Sequence, residues 1–426
     1  MVFSSWIYIG LFLPIVFFLY HALSKFTLTI EEHKISRLSL NIGIFILICA
    51  SLLFYGYWKW ENLWIIVSSI LFNYFIGKTI TPHQAKFRKQ IFIIGIIANL
   101  GLLFFFKYIN FSISIINDIS NSNLALTNII LPIGISFFTF QQIAYLSDIY
   151  TRKHIPEDNS FSSYVLFITF FPQLIAGPIV HHKEMMPQFS SKENLRINWD
   201  NIHAGLCLFA LGLAKKVLIA DQMSPLVHHA FDLAPSLTFS EAAISTLAYT
   251  IQLYFDFSGY SDMAIGAALL FNIRLPINFN SPYKSYNIQD FWRRWHITLS
   301  VWLRDYLYIP LGGNRNGKTR TLLNLFLTFL LGGLWHGAAW TFVLWGSMHG
   351  IYLIIHRIWS RTFKLTLHKS LAWPLTFLFV SLAWIPFRAN DWSRVDIFIS
   401  GLIGQHGYAM TDAFKENIPF IFSNHF

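Results

Sequence analysis

The chain has 426 residues, of which 54% are hydrophobic and 12% are charged, and its formal net charge is +10. Because an ordinary soluble domain has about 25% charged residues, this composition excludes a single soluble globule. Apolar runs close to the ~20 residues that cross a bilayer recur from one end of the chain to the other. The sequence therefore predicts an all-α polytopic membrane protein, organised as one continuous membrane domain over residues 1–426.

Apolar runs mark the predicted membrane-crossing segments, and about ten or eleven crossings are expected. The first run has no basic residue before it and no small-residue cleavage motif after it, which is typical of a retained span rather than a signal peptide. Cys49 and Cys207 lie inside these runs without a C-x-x-C pair, so both are predicted to be small core residues. The runs centre on residues 6–23, 39–57, 63–77, 91–106, 129–147, 161–177, 203–220, 240–256, 320–333, 336–355 and 370–387.

The basic residues of the first loops predict the orientation of the chain. The loops 24–38 and 78–90 hold three and four basic residues, whereas the loop 58–62 between them holds one. Lys and Arg near the ends of spans favour the cytoplasmic side of a membrane. The sequence therefore predicts an N-terminus outside the cytoplasm.

A basic segment, residues 274–320, precedes the last three predicted spans. Its charges alternate with aromatic and aliphatic residues spaced by threes and fours, which predicts amphipathic helices that lie at the cytoplasmic side of the membrane or re-enter it. The charged residues are Arg274, Lys284, Arg293, Arg294, Arg304, Arg315, Lys318 and Arg320, with Asp290 and Asp305 as the acids. The apolar face comprises Ile288, Phe291, Trp292, Trp295, Leu299, Trp302, Leu303 and Tyr306.

Two interpretations of this basic segment remain open. A membrane-surface helix attracted to anionic lipid needs no further function. Alternatively, Arg293, Arg294 and Arg304 bind the phosphates of an anionic donor. Asp305 is expected to pair with a neighbouring arginine. Nucleic acid is disfavoured as a partner, because the charges are embedded among membrane-type residues rather than collected on a soluble face.

The segment GGLWHGAAWTFVLWGSMHG, residues 332–350, keeps two histidines among apolar residues. Glycines flank His336 and let a thin substrate approach closely, and Trp335 is predicted to line that site. On one unbroken helix, His349 would lie about 20 Å along the axis and face about 220° away. His349 is therefore predicted to be a packing or supporting residue, unless the helix breaks, for example at Gly346.

Histidine chemistry favours acyl transfer. A neutral imidazole accepts a proton from a hydroxyl group as that oxygen attacks a carbonyl carbon, which is the step that acyl transfer to an alcohol needs. The sequence has no G-x-S-x-G elbow of the kind that serine hydrolases use. It has no H-E-x-x-H motif and no Cys/His cluster, so no metal site is predicted.

The stretch DFSGYSD, residues 256–262, indicates a competing function. Carboxylates and hydroxyls around a glycine resemble the ion sites that transporters build from discontinuous helices. Helix termination with Asp and Ser as caps explains the same residues more simply and is preferred. Both interpretations predict that a helix ends or breaks near Gly259.

Several blocks of the sequence resemble those of a known family. The run RLPINFNSPYKSYNIQDFWRRWHITLSVWLRDYLYIPLGG, followed by GGLWHGAAWTFVLWG, is similar to the membrane-bound O-acyltransferases. It most resembles the bacterial branch that contains the alginate O-acetylation protein and the D-alanyl transfer protein of teichoic acids. The blocks LPIGISFFTFQQIAYLSDIYTRK, FFPQLIAGPIV and QLYFDFSGYSDMAIG also resemble that branch. The resemblance spans roughly residues 40–400.

The resemblance implies catalytic roles for two histidines. The family's invariant histidine, in a G-x-W-H-G block, matches His336, and its second functional histidine or asparagine, in an R-W-H block, matches His296. The resemblance also implies re-entrant helices around a central passage. The acyl donor, acetyl-CoA or another activated acyl thioester, is expected to arrive from the cytoplasm and the acceptor from the outer side, with no tightly bound cofactor.

The quoted blocks fit the alginate-type branch better than the D-alanyl branch. They imply O-acetylation of an exported, alginate-like polysaccharide, with D-alanyl transfer to teichoic-acid-type polymers as the alternative. The expected partners are membrane lipids, the polysaccharide and a periplasmic or membrane-anchored acetyltransferase. The resemblance further implies the bacterial inner membrane, so that the outside N-terminus predicted from the loops is periplasmic, and relatives that continue beyond Phe426 with further spans.

Overall fold

The computed structural model describes residues 1–28, 37–82, 86–152, 160–363 and 367–416. Within these ranges every regular element is helical. Four helical stretches in the described chain are long and apolar enough to cross a membrane, namely Trp60–Ile80, Arg88–Ser120, Trp199–Leu233 and Lys369–Arg388, and two shorter apolar helices are Tyr8–Ala22 and Leu40–Gly56. An all-α polytopic membrane protein is thus confirmed, and the count of ten or eleven crossings stays a prediction.

One compact unit comprises residues 1–213 and 260–277. Its helices pack through a continuous apolar core that includes many aromatic rings. They are α1 (Leu13–Leu28), α2 (Arg37–Gly56), α3 (Leu63–Ile80), α4 (Arg88–Leu103), α5 (Ile109–Ser120), α6 (Ile135–Thr151), α7 (Phe161–Thr169), α8 (Phe171–Leu174), α9 (His182–Phe189) and α10 (Trp199–Ala214). Single π-helical turns extend several of them, at Tyr8–Phe12 and Phe104–Tyr108 in this unit.

Side-chain amides join three of these helices. Asn73 on α3 and Asn99 on α4 exchange hydrogen bonds, with nitrogen-to-oxygen distances of 2.6 and 3.2 Å. The Oε1 atom of Gln142 on α6 accepts hydrogen bonds from Asn73 and from Ser69, the latter at 2.8 Å. All four residues are buried. Because apolar lipid cannot satisfy an amide, such interhelical bonds hold membrane helices together. We call these four residues the amide network.

The second compact unit comprises residues 214–259 and 278–426. Its helices are α11 (Asp221–His228), the first part of α12 (Phe239–Leu269), α13 (Ile288–Arg294), α14 (Ile297–Leu303), α15 (Gly317–His336), α16 (Trp340–Ile358), α17 (Lys369–Arg388), α18 (Trp392–Leu402) and α19 (Asp412–Lys415). The organisation of residues 1–426 as one continuous membrane domain stays a prediction.

Helix α12 runs without interruption through the DFSGYSD stretch. The prediction that a helix ends or breaks near Gly259 is therefore wrong, and with it the structural basis of the transporter interpretation. Farther along the same helix, in the first unit, Gly266 allows a close contact between helices. A Cβ atom at Gly266 would lie 2.5 Å from the carbonyl oxygen of Gly205, so only glycine allows this approach.

The two cysteines do not share the same environment. Cys49 is partly buried and Cys207 is exposed. The prediction that both are core residues is wrong for Cys207, because it lies on the outward face of α10, where an apolar thiol can meet lipid as easily as protein.

Helices α15 and α16 form a tight antiparallel hairpin. The chain leaves helical geometry at Gly337 and Ala339, which are both extended, and α16 begins at Trp340. Gly333 and Gly346 face each other across the hairpin, with a Cβ atom at Gly333 falling 3.0 Å from the Cα atom of Gly346. The break in segment 332–350 thus lies after His336 rather than at Gly346, which remains inside α16.

Candidate active site

The segment that carries His296 folds as two short helices, α13 and α14. The side chain of Asn287 caps α13 by accepting a hydrogen bond from the backbone N–H of Asp290 at 2.8 Å. Trp292 contacts Phe329 and Trp345, residues from the interior of α15 and α16, at ring distances of 4.8 and 5.9 Å. Helix α13 therefore packs among longer helices of its unit, and its re-entry into the membrane stays a prediction.

His296 sits at the break between the two short helices. Its φ angle is +42°, in the left-handed region that a side chain with a Cβ atom avoids at a cost of about 1–2 kcal/mol. Asn278 holds the two residues that follow His296: the Ile297 N–H donates to the Asn278 carbonyl oxygen at 2.9 Å, and the Thr298 hydroxyl donates to the Asn278 Oδ1 atom at 3.0 Å. The strained backbone thereby fixes the position of the imidazole.

The ring of His296 is enclosed by aromatic rings. It contacts Phe257, Phe279 and Trp335 at centroid distances of 4.8, 6.4 and 6.5 Å, and the residue is 1% exposed. Its Nδ1 atom makes no hydrogen bond with any residue that the structure describes. A buried ring nitrogen of this kind is an available proton acceptor or donor, but only for a group that reaches it through the aromatic wall.

His336 is the last residue of α15 and is partly exposed. Its ring contacts Trp335, Trp345 and Phe387 at 4.9, 5.0 and 5.2 Å. Trp335 is in ring contact with both His336 and His296, so it is the wall that the two catalytic candidates share. The structure brings both histidines and Trp335 into one aromatic cluster, while their catalytic roles stay a prediction.

His349 lies deeper in the same cluster and is fully buried. The indole N–H of Trp292 donates to its Nδ1 atom at 3.3 Å, and its ring contacts Trp345 at 4.9 Å. The buried, hydrogen-bonded ring agrees with a packing role. The facing-apart geometry applied to one unbroken helix; the segment breaks after His336, and the rings of His336 and His349 both contact Trp345.

The three arginines predicted to bind the donor differ in their surroundings. Arg294 pairs with Asp290 at 3.0 Å, and Arg304 pairs with Asp305 through two hydrogen bonds of 2.7 and 3.0 Å. The hydrogen bond to Asp305 raises the pKa of the exposed Arg304 guanidinium above its ordinary value. The pairing predicted for Asp305 is confirmed. The guanidiniums of Arg294 and Arg304 are thus each paired with a carboxylate. Arg293 is exposed.

One feature close to His336 was missed from the sequence. Arg388 follows the ring of Phe387 and binds the carboxylate of Asp232 through two hydrogen bonds of 3.2 and 2.5 Å. Arg394 donates to the backbone carbonyl oxygens of Asp232 and Ala234 at 2.7 and 2.6 Å. These contacts hold the end of α17, and with it one wall of the His336 site. The partners lie more than 150 positions apart in the chain, so no local pattern reveals them.

The family model and the relatives that match this chain are all described as acyltransferases. Residues 134–388 match the family model described as MBOAT, membrane-bound O-acyltransferase family. A peptidoglycan O-acetyltransferase of Helicobacter pylori is 49% identical over 402 residues, which cover 88% of this chain and 76% of that protein. The probable alginate O-acetylase AlgI of Pseudomonas aeruginosa is 42% identical over 397 residues, 92% of this chain and 72% of that protein. A teichoic acid D-alanyltransferase of Bacillus subtilis is 28% identical over 253 residues, 56% of this chain and 62% of that protein.

Proposed function

This chain belongs to the membrane-bound O-acyltransferase family and is an O-acyltransferase, and from that premise we propose that it transfers acetyl groups across the membrane for the O-acetylation of a cell-envelope polysaccharide. The polysaccharide is a peptidoglycan-type or alginate-type glycan, because relatives with those substrates in their names are 49% and 42% identical to this chain. D-alanyl transfer is the weaker candidate, since the teichoic acid relative is 28% identical over a shorter stretch.

The observation that carries this proposal is the setting of His336. Among His296, His336 and His349, it alone keeps accessible surface, and it does so at the end of a glycine-lined hairpin walled by aromatic rings. An accessible imidazole in apolar surroundings suits a general base, because the wall excludes water that would compete with the acceptor hydroxyl.

The proposed reaction is a direct acyl transfer. His336 accepts the proton of the acceptor hydroxyl while that oxygen forms a bond to the carbonyl carbon of an acetyl thioester. The carbon–sulfur bond then breaks, and the thiolate that leaves takes the proton back from the imidazolium. His296 supports this step across the shared ring of Trp335, whose position it fixes. The donor is acetyl-CoA or another activated acyl thioester.

The proposed setting is the bacterial inner membrane, with the N-terminus in the periplasm. The charge difference between the loops 24–38, 58–62 and 78–90 supports this orientation. The donor then arrives from the cytoplasm, and a periplasmic or membrane-anchored acetyltransferase passes the acetyl group to the polysaccharide. Membrane lipids surround the exposed apolar faces of the helices.

The test replaces one histidine and compares cell-envelope glycans. We expect His336→Ala to abolish acetyl groups on the glycans, measured by mass spectrometry of muropeptides and of extracellular uronic-acid polymer from the same cells. His203→Ala, at an exposed histidine on α10, is the matched control and keeps wild-type acetylation. Acetylation retained in a membrane-inserted His336→Ala protein contradicts the proposal. Loss of D-alanine esters with acetyl groups unchanged supports the weaker candidate instead.

A further inference from the structure

The cytoplasmic-side loop before α15 and the end of α16 carry charge of one sign. Residues 306–390 contain no Asp or Glu. Within that stretch, basic residues gather at these two places, namely Arg315, Lys318, Arg320, Arg357 and Arg361. We call these five residues the cationic cluster. In the described chain, none of them has a carboxylate within 4 Å, in contrast to Arg294 and Arg304.

Asn314 ties the loop to α16. Its Oδ1 atom accepts hydrogen bonds from the Tyr308 hydroxyl at 2.5 Å and from the Arg357 guanidinium at 3.3 Å. Arg361 follows Arg357 by one turn, and partial burial, together with the charge of Arg361, lowers the pKa of Arg357. Arg357 is thus fixed to the loop with a second guanidinium one turn away, and such a pair of like charges favours binding of an anion.

The loop itself has the backbone of an anion cradle. Gly312, Gly313 and Gly317 have φ angles of +110°, +54° and +83°, values that glycine adopts without strain. The buried Asn324 donates to the Gly313 carbonyl oxygen at 3.1 Å and holds the loop from below. Asn316 gives α15 no side-chain cap, and the first N–H groups of this 20-residue helix point along its axis toward the loop.

The first turn of α15 is basic where helix stability favours acids. Lys318 and Arg320 lie in this turn, at the positive end of the helix dipole. Positive residues near spans are explained by membrane orientation alone. That explanation does not account for a guanidinium fixed to a glycine loop, nor for cations placed against the dipole.

We propose that the loop 312–318 and the guanidiniums of Arg357 and Arg361 bind a phosphate group. The chemistry fits a phosphate ester, carried by the acyl donor or by the headgroup of an anionic phospholipid. Helix α15 separates this site from His336 by 20 residues, a rise of about 28 Å, so the phosphate is anchored far from the reacting carbonyl. If the phosphate belongs to the acyl donor, the inference rests on the proposed function. If it belongs to a phospholipid, the inference is independent of that function.

Binding is measured without acyl transfer, so that this inference and the proposed function fail separately. The full chain in nanodiscs is titrated with coenzyme A, 4′-phosphopantetheine and pantetheine, which differ in their phosphates. Lipid retention is followed by native mass spectrometry with phosphatidylglycerol and with zwitterionic phosphatidylcholine. The variants are Arg357→Gln/Arg361→Gln and Asn314→Asp, which adds a negative charge while keeping the acceptor oxygen. Lys369→Gln, whose ammonium lies over the ring of Tyr286, is the control.

A donor phosphate predicts that the double variant and Asn314→Asp weaken coenzyme A and phosphopantetheine binding by about tenfold or more, with pantetheine binding unchanged. A lipid phosphate predicts that the same variants lose phosphatidylglycerol and not phosphatidylcholine. Either pattern supports the site, provided that Lys369→Gln behaves as wild type. Unchanged binding of both ligand classes in correctly inserted variants overturns it.

Discussion

The amide network of α3, α4 and α6 and the histidine cluster of α13 to α17 bury polar groups in opposite ways. In the network, Asn73, Asn99 and Gln142 bond to one another and cannot titrate. In the cluster, three imidazoles stand among apolar rings, and His336 keeps accessible surface. Paired amides stabilise helix contacts, whereas an accessible titratable ring in apolar surroundings is suited to proton transfer. The comparison separates residues that hold the fold from residues that carry chemistry.

The largest expected effect comes from His336→Asn. Asparagine keeps a polar side chain but cannot accept a proton at neutral pH. We expect acetyl transfer by the purified protein to fall about 10²- to 10⁴-fold, with the unfolding midpoint unchanged. Turnover with an acetyl thioester and thermal unfolding are measured on the same nanodisc sample. Turnover within tenfold of wild type would mean that the cluster is structural like the network.

Asn73→Leu is expected to have the reverse profile. The substitution removes the amide that bonds to both Asn99 and Gln142, so the Asn99 Oδ1 atom loses its donor, while Gln142 keeps the hydrogen bond from Ser69. The free energy of unfolding should fall by about 1–3 kcal/mol, while turnover per folded molecule stays at the wild-type level. Asn128→Leu, at an exposed position, is the control. A loss of turnover in folded Asn73→Leu protein would show that the amide network contributes to catalysis as well as to stability, and would contradict the division between the two regions.

Asp232→Asn tests the anchor behind the histidine cluster. Losing the ion pair with Arg388 frees the end of α17, where Phe387 contacts His336. We expect turnover to fall by roughly tenfold or less, because a small displacement of the wall misplaces the reacting groups. The charge-swapped pair Asp232→Arg/Arg388→Asp should recover part of the loss, and Asp412→Asn on α19 should have no effect. No recovery and a lowered unfolding midpoint would make the pair purely structural.

The smallest effect is expected for Trp292→Phe. The phenyl ring keeps most of the packing but cannot donate to His349. The free energy of unfolding should fall by about 1 kcal/mol, with turnover within about twofold of wild type. Chemical denaturation and turnover assays measure the two quantities. A large loss of turnover without a loss of stability would assign His349 a part in the reaction.

Composition and apolar runs predicted the all-α membrane fold, and a local motif singled out part of the aromatic cluster. The position of His336 beside Trp335 in that cluster follows from a short motif in which glycines and a tryptophan stand beside a histidine. Asp305 was predictable because its partner is the adjacent Arg304. The hairpin after His336 was not predictable from the sequence. Gly337 to Ala339 continue an apolar run, and their residue types do not indicate an extended turn.

Longer-range features escaped the sequence for a different reason. Gly259 was interpreted as a helix breaker, yet within a long buried helix the backbone hydrogen bonds outweigh glycine's flexibility, and α12 continues. The pairing of Asp232 with Arg388 depends on which helix ends meet, and that is set by tertiary packing. Residue spacing cannot supply such information.

The central claim is that His336 is the accessible imidazole of the cluster, and reaction with diethyl pyrocarbonate tests it most directly. Peptide mass spectrometry of the nanodisc-embedded protein should show modification of His336, with His296 and His349 unmodified until the protein unfolds, and an acetyl thioester should slow the reaction at His336. Modification of His296 or His349 at a rate equal to that of His336, or an unreactive His336, would contradict the account.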